Sequence, residues 1–339
     1  MAKRKSHTRR RKKQPLNWPL IVSAAVLISA FFLAYLTLGG DFLKEIPGAE
    51  EVKGAFSTLW EALTTPPEEQ SRADSSAAGA APVSGDGAEV HFIDVGQGDS
   101  ILIRCGGADI LIDAGENNMG ETVNAYLDSL GVEELALAIG THPHSDHIGG
   151  LDVVLSEHPA GTVVMPALPD DMVPTTRTFE DLLAVIEEEN LSLEEAVPGT
   201  EYEFGDGTLE ILGPVADYDD LNDYSVVCRF SYGEISFLLT GDMETTAEAD
   251  LLASGADLSA DILKLGHHGS STSTGEDFLR AVDPAVCVIE VGEGNSYNHP
   301  HAETMERVEG YGCTIYRTDL DGNIVIRTDG AAWSASTGK

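Results

Sequence analysis

Basic residues are scarce in this chain. Lysine and arginine number 20 against 57 aspartates and glutamates, a formal net charge of −37 over 339 residues. Eight of the 20 (Lys3, Arg4, Lys5, Arg9, Arg10, Arg11, Lys12, Lys13) crowd into the first 13 positions, where there is no acid, so the remainder sets 12 basic residues against 57 acidic ones, −45. A generally basic nucleic-acid coat is excluded, because such a surface repels phosphates. A locally cationic site is not excluded, since a bound metal creates one. Cysteine is sparse as well: Cys105, Cys228, Cys287 and Cys313 lie far apart without metal-type pairing. They read as buried free thiols, although an extracytoplasmic position permits disulfides. There is no internal repeat, no phosphate-cradling P-loop and no dinucleotide fingerprint. Ser270 and Ser271 beside His268 lack the G-x-S-x-G elbow of a serine hydrolase. What is present, 42% hydrophobic residues with 35 glycines and 15 prolines, suits a globular body of one or two domains.

Residues 1–17 form the basic block, expected to be cytoplasmic. Residues 18–38, WPLIVSAAVLISAFFLAYLTL, hold no charge. As a helix rising about 1.5 Å per residue they cover the roughly 30 Å of a bilayer core. The block before them predicts a single-pass anchor in the cell membrane, with everything after it extracytoplasmic. A cleaved signal peptide has a shorter apolar region, about 7–15 residues, and small residues at its cleavage site. Residues 39–87 begin with a short amphipathic pattern and continue as a Pro-, Ser-, Ala- and Gly-rich flexible linker. A catalytic domain is expected over 88–333, followed by a tail at 334–339.

Within 88–333 short β-rich runs alternate with helical patterns. EVHFIDV, SILIRC and ADILID predict an opening meander, and ETVNAYLDSLG a helix stopped at Gly131. ELALAIGT predicts a buried strand, TFEDLLAVIEEEN a helix, and TLEILG, YSVVCRFSY and EISFLLT a second strand group. TAEADLLAS, EDFLRAV and AETMERVE read as helices between the strands ADILKLG, AVCVIEV, CTIYRT and NIVIRT. The mixture predicts an α/β sandwich with its polar loops at strand ends.

Seven of ten histidines fall into three groups, His142/His144/His147, His267/His268 and His299/His301. The first, in THPHSDHIGG (141–150), follows a buried strand. In extended chain His142 and His144 project to the same side and can grip one cation. Asp146 and His147 come where the chain turns toward a helix, and suit a second cation nearby. Imidazole and carboxylate donors at this spacing suit Zn²⁺, and also Mn²⁺ or iron. Asp242 follows the apolar strand ISFLLT beside Gly241, which places its carboxylate at a strand end. His268 and His299 are alternative further donors. His301 reads as a helix start and His91 as a structural strand residue.

HPHSDHIGG resembles the HxHxDH motif of metallo-β-lactamase-fold hydrolases. FIDVGQGDS (92–100), LIDAG (111–115), LNDYSVV (221–227), LLTGDME (238–244), LKLGHHGSSTS (263–273) and NSYNHP (295–300) resemble, more narrowly, the lactamase-like domain of the ComEC competence family of DNA-internalisation proteins. The resemblance implies a four-layer αββα fold, one or two metal ions (Zn²⁺ or Mn²⁺) and hydrolysis, of phosphodiesters in the first place. It gives His142 and His144 to one metal, Asp146 and His147 to the other, and Asp242 to both, with His299, or instead His268 or His267, completing the set. It also implies that Asp94 and Asp113 orient the ligands. The superfamily's usual third histidine on the first metal is missing: His158 stands too early, and Asn222, Asp223 or water is left to fill the place.

The expected chemistry is attack by a metal-activated water, oriented by Asp146 or Asp242, with Lys264 or protonated His268 stabilising charge on the phosphoryl oxygens. A substrate such as DNA or another phosphodiester is the leading expectation, with the membrane as the only other partner and no protein partner. The alternatives are a hydrolase of a small ester, lactone or β-lactam, and a non-catalytic metal-dependent binding or accessory protein.

Overall fold

Alternation along short β-branched runs builds two sheets. The computed structural model describes residues 87–339. The elements begin with β1 (Ala88–Phe92), β2 (Ile101–Cys105), β3 (Ala108–Ile112), α1 (Gly120–Ser129), β4 (Leu137–Ile139), α2 (Ser145–Ile148) and α3 (Leu151–Glu157). Next come β5 (Thr162–Met165), α4 (Arg177–Glu188), β6 (Ser192–Glu195), β7 (Glu201–Phe204), β8 (Gly207–Gly213), β9 (Val227–Tyr232) and β10 (Ile235–Leu239). The chain continues through α5 (Thr245–Ser254), β11 (Ile262–Lys264), α6 (Glu276–Val282), β12 (Val286–Ile289) and α7 (Ala302–Tyr311). It ends with β13 (Thr314–Arg317), α8 (Thr318–Asp321), β14 (Ile324–Thr328) and β15 (Trp333–Thr337).

One sheet has the order β15-β14-β1-β2-β3-β4-β5-β6 and the other β13-β12-β11-β10-β9-β8-β7. Successive side chains on a strand point to opposite faces, and the core divides accordingly. Ile101, Ile103, Ile110 and Ile112 of the first sheet meet Phe230, Phe237, Leu239 and Ile262 of the second. On the first sheet's outer face, Leu102, Leu111 and Val163 pack under Val123 and Leu127 of α1, Leu151 and Val154 of α3, and Leu182 and Ile186 of α4. The second sheet's outer face, with Leu238, Leu263 and Cys287, packs under Leu251 of α5, Phe278 and Leu279 of α6, and Val308 of α7. These are the four layers, αββα, expected from the motifs. Each large apolar side chain buried here contributes about 1.5–3 kcal/mol.

Two differences from the expected boundaries appear. β15 occupies the stretch expected as the tail, pairing antiparallel with β14 from Ile324↔Thr337 to Thr328↔Trp333. β5, β6 and β7 form where no element was expected, and β6 and β7 are outer strands of their sheets. Among the described residues no helix is long and apolar enough to cross a membrane. The expected anchor at 18–38 lies outside them, as do the basic block and the linker up to residue 86.

Strand direction fixes where chemistry can gather. β3 to β6 run parallel to one another, as do β10 to β13. The loops leaving β3, β4, β10, β11 and β12 therefore emerge at one edge of the sandwich, joined there by the loop entering β2. Such loops can carry polar groups that the packed strands cannot.

Candidate metal centre

Five of those loops supply the site. β3 delivers Asp113, β4 delivers Thr141 to His147, β10 delivers Asp242, β11 delivers His267 and His268, and β12 delivers Glu290. Close backbone approach explains two glycines. A Cβ at Gly98 would lie 2.2 Å from the Asp146 carbonyl oxygen, against which Asp99 N donates at 3.1 Å. Gly241 has φ +51° with Ser225 and Thr141 on either side, where a Cβ would stand 3.0–3.1 Å away. Asp113, His267 and His268 also hold positive φ (59°, 49° and 52°). Left-handed conformations cost non-glycine residues of order 1–3 kcal/mol and concentrate at functional sites.

The histidines are oriented by their Nδ1 partners. His147 Nδ1 donates to Asp113 Oδ2 at 2.8 Å, and Asp113 is itself held by Thr141 N (2.8 Å) and Thr141 Oγ1 (2.6 Å). His268 Nδ1 donates to the Glu290 carbonyl oxygen at 2.9 Å. His142 Nδ1 lies 3.2 Å from Thr141 Oγ1 and 3.3 Å from Ser225 Oγ. An acceptor on Nδ1 fixes the tautomer and leaves Nε2 as the ligating nitrogen.

The freed atoms converge on Asp242. Its Oδ1 is 3.2 Å from His147 Nε2, while its Oδ2 is 3.5 Å from His268 Nε2, 3.8 Å from His267 Nε2 and 4.0 Å from His142 Nε2. Asp146 Oδ2 stands 3.4 Å from His268 Nε2, and His144 Nδ1 stands 3.0 Å from His142 Nε2. Donor atoms of Asp146, His147, Asp242 and His268 all lie within 4.8 Å of one another. Buried His147 Nε2, His268 Nε2 and Asp242 Oδ1 have no hydrogen-bond partner. Such orphaned donors are costly unless an ion takes them. The residues therefore fit a divalent cation, and His142 with His144 offers further nitrogens beside Asp242.

The electrostatics agree. Burial alone would lower the pKa of His268, yet Asp242, Asp146 and Asp99 around it raise it to about 10. Burial is likewise overridden at His147, which Asp242, Asp113 and Asp99 raise well above the ordinary histidine value. Burial, together with His147 close by, holds His142 well below that value. The site is a pocket of negative field that recruits positive charge.

Not every expected residue takes the expected place. Lys264 is fully buried, ion-paired with Asp99, and its Nζ donates to the Gly241 carbonyl oxygen at 3.0 Å. It stands behind the loops and is not presented to a substrate; its predicted role beside a phosphate is corrected. Burial would lower its pKa, but Asp99, Asp242 and Glu290 raise it. Asp99, which sequence reasoning missed, is the orienting carboxylate of the GQGDS segment, 3.3 Å from His268 Nδ1. Asp94 is not: its backbone N donates to Asn323 Oδ1 and its side chain pairs with Lys339.

His268 joins the four-residue group, whereas His299 stands one ring farther out. The His299 ring is 6.3 Å from that of His268, 5.3 Å from that of His267, and stacks on Tyr297. Asp223 is no ligand, because its Oδ1 accepts from Glu244 N and Ala247 N at the start of α5. Asn222 reaches His267 Nδ1 at 3.5 Å. His158 lies near Asp128, His301 precedes α7, and His91 bonds Tyr126 and Glu89. A cavity of about 670 Å³ opens at the opposite strand ends, between Arg104, Asp109 and Asp206, and includes none of the histidines.

Comparison with known proteins agrees with this geometry. Residues 93–289 match the Metallo-beta-lactamase superfamily. The chain is 32% identical over 265 residues to ComE operon protein 3 of Bacillus subtilis, covering 70% of this chain and 33% of that protein. It is 33% identical over 239 residues to Competence protein ComA of Neisseria gonorrhoeae (69% and 31% covered). It is 31% identical over 247 residues to Recombination protein 2 of Haemophilus influenzae (70% and 28% covered). The chain thus spans about a third of the length of these relatives.

Proposed function

This chain belongs to the metallo-β-lactamase superfamily, and from that premise we propose that it is a membrane-tethered, extracytoplasmic phosphodiesterase that acts on DNA. The coarser statement, a metal-dependent hydrolase, rests on the family and on the donor cluster around Asp242. The observation that carries the finer reading is the pairing of that cluster with two relatives named for competence and recombination. The tether follows from the uncharged stretch 18–38 behind its basic block.

One or two divalent ions bound at the site would supply Lewis acidity toward a phosphoryl oxygen and activate a water. The chain's own residues do the rest. His142, His144, Asp146, His147, Asp242 and His268 would hold the ions. Asp113, the Glu290 carbonyl and Ser225 fix the imidazole rings, so that little reorganisation accompanies turnover. Asp146, the more accessible carboxylate of the cluster, is kept ionised against its burial by His268 and His147, and would orient a nucleophile at the open side.

Lys264 is buried, and the chain beyond its leader is strongly acidic. That favours a strand end or a short diester over a long duplex laid across the surface. The test is cleavage by the full-length chain of single-stranded DNA, duplex DNA and a small nitrophenyl phosphodiester, with Mn²⁺ or Zn²⁺ and with Asp242→Ala as control. Metal-dependent DNA cleavage lost in the variant supports the proposal. Turnover of the small diester alone moves the substrate to a compact molecule. Metal binding without turnover of any of them overturns it.

A further inference from the structure

Two of the four cysteines stand sulfur to sulfur. Cys287 lies in β12, fully buried, and Cys313 lies one residue before β13, half-buried. β12 and β13 pair in parallel with Cys287 opposite Ile315, so Cys313, two residues earlier, shares its face of the sheet. Both pack in the layer between that sheet and its helices. Their Sγ atoms are 2.7 Å apart, leaving about 0.65 Å to close to a covalent S–S bond of about 2.05 Å. Cys105 and Cys228 have no such neighbour. The first donates to the Phe204 carbonyl oxygen at 3.1 Å, and the second lies in the core between the sheets.

We propose that Cys287 and Cys313 form a structural disulfide that staples the outer strand β13 to the second sheet. The two cysteines are 26 residues apart in sequence. The segment they bracket carries Glu290, whose carbonyl orients His268, then His299 at the rim, and α7. Among the described residues β13 is the last strand of its sheet and pairs with β12 alone, so its other edge of N–H and C=O groups has no strand beside it. Closing this loop ties both ends of one wall of the metal centre.

The reaction needs an oxidant, which is a low-molecular-weight or protein disulfide. The Cys313 thiolate attacks one sulfur of that disulfide and releases the first external thiol. The Cys287 sulfur, giving up its proton, then attacks Cys313 Sγ and releases the second. Two protein thiols are oxidised and one external disulfide is reduced to two thiols. Cys313 is the natural attacker. It is the more accessible of the pair, and the hydrogen bond from Cys287 lowers its pKa.

The full-length chain in mild detergent, reduced and then treated with oxidised glutathione, tests this without reference to hydrolysis. After denaturation two thiols, not four, should react with maleimide, and a non-reduced digest should contain one linked pair, Cys287 with Cys313. The oxidised chain should melt roughly 5–15 °C above the reduced one. Cys105→Ala should leave that difference intact, and Cys287→Ala with Cys313→Ala should abolish it. Four reactive thiols, a glutathione adduct that persists on Cys313, a linkage through Cys105 or Cys228, or equal melting of the two forms would each overturn the proposal.

Discussion

Replacing Lys264 with methionine keeps most of the side chain's volume and removes its charge. The ammonium is fully buried and neutralises Asp99, which is itself buried. Without it, the Asp99 carboxylate keeps only His268 Nδ1, 3.3 Å away, and His147 Nδ1, 3.8 Å away, as cationic neighbours. Breaking a buried ion pair from one side costs about 3–5 kcal/mol, because an uncompensated charge is left behind. For a body of this size that is a Tm lower by roughly 6–20 °C. Asp99→Asn, which strands the ammonium instead, should cost a similar amount. The double variant K264M/D99N leaves neither charge alone, so it should lose less than the sum of the two, by about 1–3 kcal/mol. Urea unfolding in the presence of a chelator measures all three without stabilisation by bound metal. Unfolding of Lys264→Met like that of the native chain, with kcat down a hundredfold, would refute a purely structural Lys264. Lys264 would then be touching substrate.

Three further outcomes follow from the same geometry. Asp113→Asn removes the acceptor that fixes His147 Nδ1, and should weaken metal affinity by about 10–100-fold, as read by isothermal titration calorimetry; unchanged affinity would mean that Asp113 does not set the ring's orientation. His268→Ala should lose metal affinity more severely than His299→Ala, because only His268 belongs to the converging group; the reverse order would place His299 on the metal. Glu248 is buried and its pKa is raised to about 7, chiefly by that burial, while Thr274 N and Gly275 N donate to it. A carboxyl raised in the folded state favours folding while protonated, so its contribution, about 3 kcal/mol at most, is present below pH 4.5 and lost as pH rises toward 7. Glu248→Gln should remove that component from the stability profile, and an identical slope in native chain and variant would refute it.

The α/β alternation and the first donor cluster were legible because both follow from local rules, whereas the four layers came from the family resemblance. Period-two alternation gave the central strands, and HPHSDH at a strand end gave four donors in fixed register. Asp242 was readable from its place after ISFLLT. Long-range pairing was not readable. Asp99 finds Lys264 across 165 positions, and no local pattern announces that contact. Lys264 alternates with Leu263 and Leu265, which face the outer helices. It therefore points with Ile262 toward the space between the sheets, and that parity was the available sign that it faces inward. β6 and β7 escaped notice because SLEE and EYEF are outer strands with exposed acidic faces. SLEE has a single apolar residue on a wholly exposed strand, and EYEF alternates, with Tyr202 and Phe204 against the core, over only four residues. The choice between His268 and His299 depended on a three-dimensional turn. Positive φ at His267 and His268 swings His268 inward, and spacing alone does not encode that turn.

The central claim is that the residues around Asp242 hold the metal on which hydrolysis depends. Its most direct test is the metal content of the purified full-length chain, measured by elemental analysis after dialysis against Zn²⁺ or Mn²⁺, beside Asp242→Ala and His268→Ala variants shown to be folded. The account predicts one or two ions per native chain and a loss of bound metal in both variants. Equal metal content in all three proteins, or none in the native chain, would contradict it.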